Sequence, residues 1–376
     1  MSQADARAAA GQPAAPGSPA GPAAAGPASP SRRHGVVAIA IAGSALIVAV
    51  GVGLSVGPAG VSAVTAVRAA LSALPFGPHW DVSSVDRTVL WQVRLPRVVL
   101  GGIVGAMLAG GGAAYQGVFR NPLADPYLLG VAAGGGLGAT IAIVTGWSGA
   151  AVPPAAFIGA VAAVTITYLL GASAARGSAV PGVGGSSTSI VLAGVAVAAL
   201  FTAIQTYLQQ RNLATIQDVY SWILGRLTLA SWSDVAVVCP YAALSATVLF
   251  AFRRGLDVLR VGEAEAAALG VDTRRLRLVV VAAATLGTAA AVAVSGLIGF
   301  VGIIVPHAVR LAAGADYRLL MPVSMVAGAA FLILADVAAR TAQEPAEVPI
   351  GVVTAFVGAP FFLIVLRSRR PQGDSS

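Results

Sequence analysis

Few residues in this chain are equipped for chemistry. All 23 basic residues are arginine, and there is no lysine. A Walker A loop sets a lysine on the nucleotide phosphates, so this chain binds no nucleotide through a P-loop. Of the 15 acidic residues, Asp336 alone falls inside an apolar run, near its end, and His307 is the one histidine at that depth. The sequence has no HExxH, no GxSxG and no cluster of His, Asp or Cys, so neither a metalloenzyme nor a serine hydrolase is expected. A lone histidine with no second ligand beside it makes no metal site. His307, next to Pro306, therefore reads as a packed, hydrogen-bonded side chain, and no metal or cofactor is expected. Cys239 is the single cysteine and has no partner for an intramolecular disulfide. Inside an apolar run it reads as a small packing residue.

The elements that carry these residues must be membrane helices. The chain has 376 residues, 57% apolar and 10% charged, with a mean hydropathy of +0.84. A soluble domain carries about 25% charged residues, so a water-soluble enzyme is excluded. At roughly 20 residues per span, the apolar content fills about ten helices. Forty-five glycines suit close helix packing in lipid. The net charge of +8 is explained by arginines on the cytoplasmic side of a membrane, and nucleic acid is not an expected partner.

Residues 1–35 form a Pro/Ala-rich tract with almost no large apolar side chain, expected to be a disordered cytoplasmic tail. Ser31, Arg32 and Arg33 have the look of a twin-arginine export signal. The apolar stretch at 36–56 is long enough to span, however, and others follow. Spans are expected near 36–56, 97–117, 127–146, 150–171, 189–209, 234–252, 277–295, 301–313, 320–338 and 349–366. The membrane domain is thus 36–367, followed by a short cytoplasmic tail at 368–376. The span at 301–313 is short and holds Pro306, which predicts a broken or partly re-entrant element. With both termini inside, sixteen arginines lie on the cytoplasmic side and seven outside, the bias expected of a multi-pass protein of the cytoplasmic membrane.

A secondary transporter buries carboxylates or histidines near the midplane for its coupling ion, and this sequence has almost none there. Sodium coupling through backbone carbonyls and an uncoupled channel stay open as alternatives. The polar connection at 256–277 holds Gly262, a helix-favouring run from Glu263 to Leu269, and Gly270. It predicts one or two short helices divided by a glycine turn. It is either a solvated loop or a docking helix for an energy-supplying partner.

Three motif groups occur in order: R-L-P-R at 94–97, followed by G-x-x-x-G and N-P-L-A-D-P at 121–126; G-E-A-E-A-A-A-L-G-V at 262–271; and G-F-V-G-I-I-V-P-H-x-x-R at 299–310 with P-I-G-V-V-T-A-F-V-G-A-P at 349–360. Together they resemble the FecCD family of ATP-binding-cassette importer permeases, which take up iron siderophores, heme or cobalamin. The resemblance implies an all-α type II importer permease fold with ten transmembrane helices. It also implies a second permease subunit, identical or related, an ABC-type ATPase subunit on the cytoplasmic face and an extracytoplasmic substrate-binding protein. By the same resemblance Arg94, Arg97 and Arg340 would face acidic residues of the binding protein, and Asn121, Thr188 and Ser189 would form a cytoplasmic gate. Gly262, Glu263, Glu265, Leu269 and Gly270 would couple to the ATPase. Taken by themselves, Arg94 and Arg97 also suit a helix end at the headgroups, and Thr188 and Ser189 suit ordinary N-caps. The cargo implied first is a ferric siderophore, with cobalamin or heme as the alternatives.

Overall fold

A computed structural model describes residues 32–57, 80–147, 149–177, 186–343 and 346–368, with a few single positions between 58 and 79. The expected tails lie outside these residues except for 32–35 and Ser368. No strand occurs among the described residues. In chain order the helices are α1 (Arg32–Ser55), α2 (Ser84–Val118), α3 (Val131–Val144), α4 (Val152–Gly177), α5 (Ser186–Arg211), α6 (Ile216–Ile223), α7 (Trp232–Leu259), α8 (Glu263–Ala268), α9 (Thr273–Ser295), α10 (Val301–Ala313), α11 (Tyr317–Thr341) and α12 (Ile350–Ser368). Leaving out the short α6 and α8, ten apolar helices remain, one for each expected span.

Small residues decide which helix sits at the centre. The apolar window of α2 is 78% buried and that of α1 only 11%. Gly105 of α2 meets Gly328 of α11 so closely that a Cβ on either would overlap the other's carbonyl, and Gly112 meets the Gly302 carbonyl of α10 in the same way. Without a hydrophobic force between helices in lipid, such backbone approach is what brings dispersion contacts into range. α1 lacks it and leaves Val36, Ile39, Ile41 and Ile47 exposed, a surface suited to acyl chains. Cys239, expected to pack inside, is exposed on α7, because in lipid an apolar run need not be a buried one.

Many acidic residues stand at helix ends. Ser231 and Asp234 form a reciprocal capping box at the start of α7, and Asp272 and Asp316 accept backbone N–H groups at the starts of α9 and α11. Each satisfies donors that the first helical turn leaves without partners.

The 301–313 element is short as expected, but Pro306 does not break it: the helix runs unbroken from Val301 to Ala313, and the interruption lies before it, at 296–300. α10 has 13 residues, about 20 Å of helix, where the hydrocarbon core is about 30 Å thick. Unwound backbone at 296–300 precedes it, with Gly296 at φ +72° and Phe300 at φ +69°. Exposed to lipid, such backbone would be prohibitive, and here Tyr127 covers it. The Tyr127 hydroxyl donates to the Ile298 carbonyl at 3.0 Å and accepts from the Ile298 N–H at 3.1 Å.

Candidate functional site

The Arg94 end of the bundle carries a buried charge network. Arg97 donates from Nε to both Asp336 oxygens at 3.0 Å and from Nη2 to Oδ1 at 2.8 Å. Its Nη1 and Nη2 also grip Glu347, on the α11–α12 connection, at 2.9 Å each. Thr228 of the α6–α7 connection donates to the same Glu347 at 2.7 Å. Burial pushes the Glu347 carboxyl up, but the hydrogen bonds from Arg97 and Thr228 outweigh it and hold the group below its ordinary value. Arg340 donates to the Gly53 carbonyl at 2.6 Å and stands 3.7 Å from Asp336. Arg94 donates to the carbonyls of Leu54 and Ser55 at 2.7 and 3.1 Å and of Gly57 at 3.3 Å. The last carbonyls of a helix have no internal partner and carry its negative dipole end. Two arginines therefore cap the C-terminus of α1 and fasten this weakly packed helix to the core.

The opposite end carries α8. Gly262, at φ +151°, precedes it, and any Cβ there would run into the Glu265 carboxylate. Gly270, at φ +81°, closes it. Ala266 is fully buried, whereas Val261 and Leu269 are 67% and 70% exposed. Glu263 pairs with Arg277 of α9, which is 6% exposed. The end of α7 is tied down separately: Asp257 accepts the Tyr317 N–H at 2.8 Å and Arg260 donates to the Ala315 carbonyl at 2.8 Å. α8 thus rests on a braced platform with two apolar side chains facing outward. The polar connection is shorter than 256–277, since Leu256 still lies in α7 and Arg277 already in α9.

Asn121 follows α2 in a tight turn. Its Oδ1 accepts the Leu123 N–H at 3.0 Å, and its own N–H donates to the Gln116 carbonyl at 3.2 Å. Thr188 is exposed and Ser189 half-buried in the first turn of α5. Further along the two segments, Gly194 of α5 packs against the Leu128 carbonyl. No hydrogen bond joins Asn121 to Thr188 or Ser189 among the described residues.

The model of the FecCD transport family matches residues 45–368. The chain belongs to this family. It is 43% identical over 298 residues to the cobalamin import system permease BtuC of Halobacterium salinarum, covering 77% of this chain and 76% of that one. To the hemin transport system permease HmuU of Yersinia pestis it is 37% identical over 317 residues, covering 80% and 90%. A solved metal-chelate type ABC transporter in an inward-facing conformation is similar at TM-score 0.75 and 29% identity, over 89% of this chain and 99% of that one. The fold is accordingly that of a polytopic type II importer permease, and the chain is the membrane-spanning permease subunit of an ABC importer. Proteins of this family work with ATPase and binding-protein partners.

In this FecCD member the expected docking arginines are interior. Arg94, Arg97 and Arg340 are 3%, 7% and 3% exposed, and each guanidinium is bonded inside the fold. Sequence spacing could not show this, because Asp336 and Glu347 lie 239 and 250 residues from Arg97. One signal was available: an acid in an apolar run needs a partner, and Asp336 stands one helical turn before Arg340. Asp125 was also missed. It is buried beside Gly302 and accepts the Tyr127 N–H at 2.8 Å, and burial pushes its carboxyl up to about 6. His307 is 7% exposed and meets Phe361 edge-on at 6.0 Å. No group of three or more His, Cys, Asp or Glu gathers among the described residues.

Proposed function

We propose that this subunit carries an iron chelate, first of all a ferric siderophore, from an extracytoplasmic binding protein into the cytoplasm. A separate ABC-type ATPase subunit bound at α8 drives the transfer. Both termini and α8 lie inside and the Arg94 end lies outside, as the arginine distribution supports. The path forms with a second permease subunit, and Asn121, Thr188 and Ser189 narrow it on the inner side without charge. Gly262, Glu263, Glu265, Leu269 and Gly270 meet the ATPase.

The observation that carries the reading is α8 itself. It is too short and too polar to span, it is braced by the Arg277–Glu263 pair, and it presents Val261 and Leu269 to a partner. An ion-coupled carrier has no use for such a platform. Reconstitution with the ATPase and binding protein tests the reading, and cargo uptake without added ATP would sink it. The 43% identity to a cobalamin permease favours cobalamin as the second reading. Titrating the cognate binding protein with ferric siderophore, heme and cobalamin decides the cargo, and tight binding of cobalamin alone would replace the first reading with the second.

A further inference from the structure

α4 and α9 leave a groove between them on the half of the bundle nearer α8. Val161, Val164 and Leu169 of α4 and Leu278, Val281 and Leu286 of α9 line it, and it encloses about 290 Å³. Val164 and Val281 are 5% and 3% exposed and form the floor, whereas Leu169 and Leu278 at the rims are 62% and 48% exposed, so the groove opens to the surface of the bundle. Its two threonine hydroxyls are already used. Thr165 donates to the Val161 carbonyl at 2.8 Å, and Thr285 shares a hydrogen bond with Tyr115 at 2.7 Å. The lining therefore suits hydrocarbon. One turn beyond Val161, Phe157 meets Tyr241 of α7 at 5.3 Å, and α7 stands beside α4 where the groove stops.

From 161 to 169 and from 278 to 286 each helix rises about 12 Å, near the roughly 15 Å depth of one leaflet's hydrocarbon. A helix, about 10–12 Å across, is too thick for so slender a space, whereas an acyl chain lying along the bilayer normal fits it. The mouth nearest α8 is charged. Arg274 and Arg275, both exposed, stand four and three residues before Leu278, so they flank the groove face about 5 Å beyond its end. Arg254, exposed near the end of α7, adjoins Gly255, which packs on Leu276. Against these three cations stand Asp272, which caps the Arg275 N–H at 2.9 Å, and the exposed Glu265 of α8, while Arg277 and Glu263 neutralise each other. One positive charge is left over, and Arg176 in the last turn of α4 adds a second. Arginines at the cytoplasmic surface of a membrane attract anionic headgroups.

We propose that the α4–α9 groove binds an anionic phospholipid, with an acyl chain against Val164 and Val281 and the phosphate beside Arg274 and Arg275. The chain then covers the Tyr115–Thr285 hydrogen bond, and the headgroup ties the start of α9 to the membrane surface. That the lipid comes from the cytoplasmic leaflet rests on the importer reading; the binding itself does not.

The permease–ATPase complex, stripped of lipid in detergent, is titrated with dioleoyl phosphatidylglycerol or dioleoyl phosphatidylcholine and read by native mass spectrometry. Phosphatidylglycerol is expected to form its first adduct at least about tenfold more tightly. R274Q/R275Q should bring it down to the phosphatidylcholine level with the ATPase still bound. A282F, at an exposed position lining the groove, should weaken the first adduct of both lipids about tenfold, whereas A40F at an exposed position of α1 should not. T165F fills the groove from the α4 side if A282F lowers the melting temperature. Equal binding of the two lipids by wild type, or phosphatidylglycerol binding unchanged in R274Q/R275Q or in the groove variants, would overturn the proposal. So would loss of the ATPase from R274Q/R275Q, which would make these arginines ATPase contacts. Cargo uptake without ATP would refute the importer reading and leave the lipid result standing.

Discussion

Replacing Asp336 by asparagine removes one charge and almost no volume, and so isolates the electrostatics of the buried network. The Arg97 and Asp336 side chains are 8% and 4% exposed, and their closest contact is 2.8 Å. Removing one partner of such a pair costs about 3–5 kcal/mol, because the remaining charge has already been taken out of water. Here the amide oxygen still accepts from Arg97 and Glu347 still holds it, which places D336N near the lower edge, about 3 kcal/mol. At roughly 2–4 °C per kcal/mol for a large chain, the melting temperature should fall by about 6–12 °C. Glu347 is 26% exposed on its side chain, and E347Q should cost under about 1 kcal/mol, as partly solvated pairs do. The assay is thermal unfolding of the purified subunit followed by tryptophan fluorescence. The double variant R97Q/D336N should lose less than the two single variants added together. D336N melting within about 2 °C of wild type, a shift worth no more than about 1 kcal/mol, or E347Q costing as much as D336N, would refute the claim that these charges are interior and coupled.

Three further outcomes are expected. D125N keeps the cap on the Tyr127 N–H and removes a charge whose folded-state pKa is raised from 3.8 to about 6. A raised acid favours folding while protonated and costs stability once ionised. D125N should therefore match wild type below about pH 4 and exceed it above about pH 6 by at most about 3 kcal/mol; no gain in melting temperature at pH 7.5 would contradict the burial argument. Gly328→Val pushes a side chain into the Gly105 carbonyl and should cost about 3 kcal/mol or more through overpacking, seen as aggregation in size-exclusion chromatography; a monodisperse peak with wild-type melting would count against the close approach. Leu269→Glu, at a 70% exposed position, should leave melting unchanged and lower ATPase co-purification about tenfold, as loss of an apolar anchor of about 1.5 kcal/mol implies; undiminished co-purification would remove α8 as the ATPase contact.

What the sequence made legible follows from the range over which each signal acts. Ten apolar runs become ten helices because the bilayer forces each run to satisfy its own backbone. Gly262 and Gly270 bounded α8 because a glycine turn is a local effect, whereas Pro306 lies inside an unbroken α10 and the interruption stands before it, at 296–300. The end of α7 was less legible. The span was expected to stop at 252, yet the helix continues to Leu259, with Arg253 lying over the Phe250 ring at 5.8 Å. A long arginine stem can stay in a helix beside apolar surface while its head reaches water, so a charge need not end a span. Beyond the Asp336–Arg340 spacing the buried network was hidden, since its members come from α1, α2, α11 and two connections far apart in the chain. Asp125 was hidden for a related reason: N-P-L-A-D-P has the composition of a surface loop, and only the glycine-lined contact of α2 with α10 leaves room for it to fold inward.

These separate features share one helix. α9 runs 23 residues, about 35 Å, from the platform of α8 to the Arg94 end of the bundle. At its start Arg277 holds Glu263. In the middle Thr285 shares a hydrogen bond with Tyr115 at 2.7 Å, and the Ala283 carbonyl accepts from Ser245 at 2.7 Å. At its end the Ser295 carbonyl holds the Arg226 N–H. A close-packed helix lined by Ala289, Ala290 and Ala291 has little room to deform and must move as a unit. A displacement of α8 would be carried along α9 to the Ser295 carbonyl and the backbone it holds. It also reaches the Asn121–Tyr127 segment, because Tyr127 grips the unwound backbone at Ile298 into which α9 runs. The break between α9 and α10, with Gly296 at φ +72° and Phe300 at φ +69°, would let such a shift be taken up by a few φ and ψ angles instead of by unpacking a helix.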